Sequence, residues 1–303
     1  MLKDIFEKAE GLIKKTETDI SATVDKTKAQ LLGAIDQNGN GEVDIEDVII
    51  MGLKIPGIRI KRDEFLRTEL KKELPPETIE AAINGTPAGA GISSELIDRK
   101  AHDTIAFERN LVSGISTALG MPGGVAMVAT IPADIAQYYG YMLRAAQKLM
   151  YLYGFPDMEV GETASGFDSE TLNVLTICLG VMYGVAGAGN AIKAMARALG
   201  TGVEKQLLKK ALTKGTFYPI VKKIAKWFGV KMTKSVFAGF FKKAIPVVGG
   251  VLSGAITYVS FGPCCERLQN TLKDTYLTNP ENRVTVQPDE ILIENGEDDG
   301  YIE

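Results

Sequence analysis

Histidine and cysteine are nearly missing from this chain: one His and three Cys in 303 residues. That excludes most zinc sites and any disulfide framework. A histidine-based catalytic dyad would rest on His102 alone, which lies on a polar stretch between Lys100-Ala101 and Asp103 and reads as a surface residue. Cys264 and Cys265 are adjacent and Cys178 stands in an apolar run, the setting of reduced, buried thiols. The first twenty residues, MLKDIFEKAEGLIKKTETDI, hold no apolar core and no small-residue cleavage site. No secretory signal is read there, and a cytoplasmic location is expected. Gly184 and Gly189 have the spacing of a phosphate loop, but Asn190 and Ala191 stand where Lys and Ser/Thr belong, and no G-x-S-x-G occurs. The sequence identifies no catalytic residues, and no enzymatic activity is expected.

What is present is an ordinary globular composition, 45% hydrophobic and 24% charged, which excludes bulk disorder. Mean hydropathy is +0.04. The net charge of -4 conceals an asymmetry. Lys193 to Lys243 carries 13 Lys+Arg against Glu204 alone, a block of +12, so the rest of the chain sums to -16. The last 23 residues hold eight acids and one base, Arg283. A basic block in an acidic protein points to an anionic partner, or to masking by the chain's own acidic segments.

Apolar residues recur at three and four throughout, the helical period. The pattern predicts a helix over 2–33, then a polar glycine-rich loop. Helices are expected at Ile45–Lys54, stopping before Pro56, and at Arg62–Leu74, ended by Pro75-Pro76. The stretch NGTPAGAGI, 84–92, reads as a linker and the main domain boundary. Beyond it, one long helix is capped by Ser94 and runs to about Leu119, and a second starts near Pro132 and continues through Tyr151. A glycine-studded apolar helix is expected over 170–199, and short basic helices near 203–213, 217–228 and 233–244. An apolar helix follows at 246–261, broken by Pro263, with Cys264–Tyr276 as the last helix. Strand propensity is confined to Arg283–Val286 and Ile291–Ile293. The expected fold is an all-α bundle with glycine-rich buried helices at 93–277, a small helical calcium-loop module at 1–85 and an extended acidic tail at 278–303.

Residues 36–47, D-Q-N-G-N-G-E-V-D-I-E-D, fit the twelve-residue EF-hand loop. Asp36, Asn38 and Asn40 fill positions 1, 3 and 5, Gly41 permits the sharp turn, and Glu42 offers its backbone carbonyl. Asp44 stands at position 9 and Asp47 where a bidentate Glu is usual. All the ligands are oxygen, as hard calcium requires. With Asp at position 12 and a short following helix, the loop resembles half of a dockerin. No second loop pairs with it, so a structural calcium is expected rather than a switch.

Thr171–Ile192 and Ala244–Cys265 are each 22 residues without charge, long enough to span a membrane. Gly180/Gly184 and Gly250/Gly254 have GxxxG spacing. Spanning would require export of 1–170 without a signal, so these runs are read as buried helices packed through small faces. Between them, F-Y-P-I-V-K-K-I-A-K-W-F and the stretch after it set Trp227, Phe228, Phe237 and Phe241 beside Lys222, Lys223, Lys226, Lys234, Lys242 and Lys243. Aromatics flanked by lysines are what an interfacial helix uses against an anionic membrane. No nucleic-acid motif occurs and the chain is acidic overall, so nucleic acid is not the expected partner. Asp134, an acid within an apolar helix, calls for a buried partner such as Arg109.

Four segments occur in order: Gly120-Met-Pro-Gly-Gly124, Ile131-Pro-Ala-Asp-Ile135, Tyr151-Leu-Tyr-Gly154 and Ala244-Ile-Pro-Val-Val-Gly-Gly250. Through them, residues 95–277 resemble the EcsC-type proteins of bacteria. That resemblance implies an all-helical cytoplasmic protein with a glycine-rich C-terminal half. The family's name derives from a locus encoding an ABC transporter, which implies membrane-linked work; it implies no particular reaction. Residues 1–85 look like an addition to that pattern. Taken together, the sequence is read as a peripheral protein at the inner face of a membrane that binds anionic lipid. A soluble scaffold docking an acidic protein is the alternative, and a latent pore-forming protein is a third reading. Self-association is left open.

Overall fold

The computed structural model describes residues 44–119, 126–158, 169–202, 211–212, 214–231 and 249–278. The expected helices at 2–33 and 233–244, loop positions 36–43, the tail strands and most of the 203–213 helix lie outside these. Nine helices and no strand occur among the described residues, so the fold is all-α. They are α1 Ile45–Lys54, α2 Arg62–Leu70, α3 Pro76–Asn84, α4 Ser94–Leu119, α5 Ala126–Leu152, α6 Ser169–Met182, α7 Ala188–Gly200, α8 Tyr218–Lys231 and α9 Gly249–Lys273.

The chain separates into two units, 1–43 and 44–303. The division expected at 84–92 therefore falls inside the second unit. The physical reason is that this glycine-rich stretch is a bonded turn. Ala90 N donates to Thr86 O at 2.9 Å and Ile92 N to Pro87 O at 3.1 Å. Pro87 and Ile92 are buried, and Thr86 packs on the backbone of Gly154, where a Cβ would sit 3.1 Å from it.

Helix α1 forms where its cap and stop dictate. Asp44 accepts from the backbone N–H of Glu46 and Asp47, Asp47 reciprocates to the Asp44 N–H, and eight of ten residues are buried. It lies on α5 through backbone: a Cβ on Gly52 would meet Gly140 Cα at 3.0 Å. Gln147 of α5 secures the turn after α1. Its side chain accepts from Ile60 N at 3.1 Å and donates to Ile58 O at 3.1 Å. The central layer is α4, α5 and α9, with α9 running along α4; α6 packs on α9, α1 and α5, and α7 and α8 pack on α6. Ser93 rather than Ser94 caps α4, its Oγ accepting from Leu96 N at 3.3 Å.

Three expected helices differ. The apolar run 170–199 is two helices, because Gly184 and Gly187 take φ of 72° and 89° and turn the chain between α6 and α7. Helix α5 starts at Ala126, six residues before Pro132. Helix α9 passes through Pro263 instead of ending there. The i-4 residue to that proline is Val259, 71% exposed, and Pro263 is itself exposed. The carbonyl deprived of its helical partner therefore lies on the solvent side, where water replaces the lost bond. No helix among the described residues is long and apolar enough to cross a membrane.

Candidate functional site

Helix α8 is two-faced. Val221, Ile224 and Phe228 are buried, while Lys222, Lys223 and Lys226 are exposed. The inner face is locked in place. Ile224 fills the space above Gly180 of α6, where a Cβ would lie 2.5 Å from its Cδ1. Phe228 is 1% exposed and sits edge-on to Tyr183, with ring centroids 5.2 Å apart, and edge-on to Tyr139 at 6.3 Å. Phe228, expected from the sequence to face the anionic partner, is instead a core residue. The apolar stripe that marked it out is the stripe that holds α8 to α6. Trp227 is half-buried and tilts against Tyr183 at 5.9 Å.

The outer face keeps its charge. Lys222 Nζ lies 4.9 Å from the centre of the Tyr218 ring, a cation–π contact at a ring that is 37% exposed. Lys223 and Lys226 form no ion pair with an acid among the described residues. The start of the basic block behaves differently: Lys193 pairs with Asp274 at 3.5 Å. Lys234, Phe237, Phe241, Lys242 and Lys243 lie outside the described residues.

Behind α8 the aromatic cluster continues inward. Tyr138 is edge-on to Tyr139 at 5.4 Å and its hydroxyl meets Ser260 Oγ at 3.1 Å. Burial pushes the Tyr138 hydroxyl up to about 12, against the lowering effect of the Ser260 bond. Burial likewise holds Tyr183 far above its ordinary value.

Of the calcium set, Asp36, Asn38, Asn40 and Glu42 lie outside the described residues. Asp44 and Asp47 stand at the first turn of α1, tied to each other through main-chain bonds of 3.3 Å and 3.0 Å. Between them, Glu46 is raised above the usual carboxylate range by desolvation and then by the two neighbouring carboxylates. The Asp134 side chain is also outside the described set. Arg109, its expected partner, stacks on Tyr258, 4.2 Å from the ring centre.

The sequence reading missed one buried acid of the bundle, Glu108 of α4. It is 0% exposed, with Lys148 Nζ at 2.6 Å and Arg144 Nε at 3.1 Å from Oε1. Both cations come from α5. Its signal was available: Ile97, Ala101, Ile105 and Val112 recur at helical spacing, and Glu108 falls on that same inward stripe. Comparison with protein-family models, curated proteins and solved structures finds no match to this chain.

Proposed function

We propose that this protein adsorbs to anionic membrane surfaces through the outer face of α8. The observation that carries the reading is the row Lys222, Lys223 and Lys226, exposed on a helix whose other face is core, with no acid paired to Lys223 or Lys226 among the described residues. Because Val221, Ile224 and Phe228 are committed to packing, contact is electrostatic and shallow, without insertion of the apolar stripe. The likeness of residues 95–277 to EcsC-type proteins supports membrane-linked work. The run of oxygen-bearing side chains in residues 36–47 supports a bound calcium ion as part of this reading.

The test is flotation with vesicles of phosphatidylcholine alone and of phosphatidylcholine with phosphatidylserine. Binding to the second only, weakening with salt, is expected. Changing Lys222, Lys223 and Lys226 together to Gln removes up to about 3 kcal/mol, roughly 1 kcal/mol for each lysine near the surface. Trp227 starts half-shielded, so its emission moves only slightly to the blue on binding. No vesicle binding, together with binding to an acidic polypeptide such as polyglutamate, would replace this reading with docking to an acidic protein.

A further inference from the structure

The ends of three helices meet around a second feature, a cleft of about 350 Å³ between the start of α4, the end of α5 and the end of α9. Ile92, Ile97, Leu152 and Leu277 supply its apolar wall, beside the polar Ser94 and Thr278. At one side stands a carboxylate held in an unusual way. Asp98 Oδ1 accepts from the Tyr153 hydroxyl at 2.7 Å, and Gln269 Nε2 donates to that same hydroxyl oxygen at 3.1 Å. Tyr153 is 2% and Gln269 9% exposed, so one oxygen of Asp98 is fixed by buried groups. Burial first, and then the Asp98 carboxylate, raise the Tyr153 hydroxyl well above its ordinary value, which keeps it a donor at neutral pH.

The other oxygen is treated differently. Among the described residues, Asp98 Oδ2 is met only by Lys273 Nζ at 2.7 Å, in a pair whose side chains are 29% and 42% exposed. A half-exposed ion pair of this kind contributes little and parts at low cost. An incoming ammonium can replace Lys273 on Oδ2. A carboxylate on the same molecule then takes the released Lys273, so both charges stay paired throughout. An aliphatic chain on that molecule covers the apolar wall. The volume lies at the small end of ligand pockets, roughly 300–1,000 Å³, which suits a compact molecule and not a nucleotide.

From this geometry we infer that the cleft binds a small zwitterion, an α-amino acid with an aliphatic side chain, by insertion between Asp98 and Lys273. A network that merely ties three helix ends together would also show Tyr153 and Gln269 on Asp98, but does not account for a part-exposed Asp98–Lys273 pair that opens on a cleft of this size.

The probe is L-leucine, titrated calorimetrically into the full chain, with N-acetyl-L-leucine and L-leucinamide as controls. Leucine binds in the millimolar range or tighter, and each control, lacking one charge, binds at least about tenfold more weakly, the worth of roughly 1.4 kcal/mol. Asp98→Asn loses leucine binding by a similar factor. Because that change could loosen the helix ends, Ala88→Trp is the second variant: it fills the cleft from the turn before α4 and leaves Asp98 and Lys273 in place. It abolishes leucine binding with the melting temperature retained. Absence of leucine binding at millimolar concentration overturns the inference. So does equal binding of leucine and N-acetyl-leucine, or wild-type leucine affinity in folded Ala88→Trp.

Discussion

The guanidinium of Arg62 donates through Nε to the main-chain oxygen of Phe155, 2.9 Å away and 93 residues along the chain. The same group donates to the oxygens of Ala82 at 3.0 Å, Ile83 at 2.6 Å and Gly85 at 2.9 Å. These carbonyls close the last turn of α3, where no helical N–H can reach them. Arg62 is 6% exposed, and its desolvation lowers its pKa without discharging it. One side chain from α2 thus caps α3 and binds the chain just beyond α5.

Replacing Arg62 with Met keeps the buried stem and removes every donor. Several buried carbonyls are then left without partners, at about 1–3 kcal/mol for each unsatisfied group, some of it relieved by water. The expected loss is about 3 kcal/mol, seen as a lower urea midpoint at unchanged slope. Arg62→Lys recovers only part, since an ammonium cannot reproduce the planar fork. A midpoint within about 0.5 kcal/mol of wild type would show that the four bonds carry no net stability.

The Glu108–Lys148 pair gives a second expectation. Removing one partner of a buried ion pair strands the other charge, at about 3–5 kcal/mol, whereas apolar replacement of both is often neutral. Lys148→Met is therefore strongly destabilising. Glu108→Leu with Lys148→Met together loses much less stability than the sum of the single changes. Arg144, also within reach of Glu108 Oε1, limits the recovery. Thermal unfolding of the four proteins in a double-mutant cycle measures the coupling; additive losses would contradict it.

Alkaline stability follows from Tyr138. Its hydroxyl ionises near 10.0 when unfolded and at about 12 when folded. A raised folded value means stability fully present below the unfolded value and lost as pH rises through the folded one. Stability therefore falls between pH 10 and about 12, by about 3 kcal/mol for a shift of this size. In Tyr138→Phe the fall over this window is shallower. Urea midpoints across that range test it, and identical slopes in both proteins would remove Tyr138 from the account.

Calcium gives the fourth. If the oxygen set at Asp36, Asn38, Asn40, Asp44 and Asp47 holds the ion, calcium raises the melting temperature and Asp36→Ala cancels the rise. Magnesium, which demands a tighter octahedral shell, competes poorly. Calorimetry without a calcium signal at millimolar concentration would dismiss the loop as a polar turn.

Much of the fold was legible because its signals are local. Helix α1 begins and ends at the residues expected, Ile45 and Lys54, since the Asp44 cap and Pro56 bracket it. What was misread depended on neighbours. Pro263 sits inside α9 because the carbonyl it orphans faces water. Gly180 and Gly184 share one spacing but not one role: the first receives Ile224, the second turns the chain. The basic face was legible as charge. Its depth was not, because the period that marks an interfacial stripe is the same period that marks a core stripe. Asp98 and Tyr153, 55 residues apart, met only through the fold.

The anchoring of α8 by Ile224 and Phe228 has a thermodynamic consequence. A helix that folds on arrival at a surface must give up conformational entropy and bury apolar area, and both leave a mark in the heat capacity. Here the charge array stands already assembled on a packed scaffold. If the protein adsorbs as proposed, the event orders little chain and dries little apolar area, so its heat-capacity change is small while its dependence on ionic strength is steep.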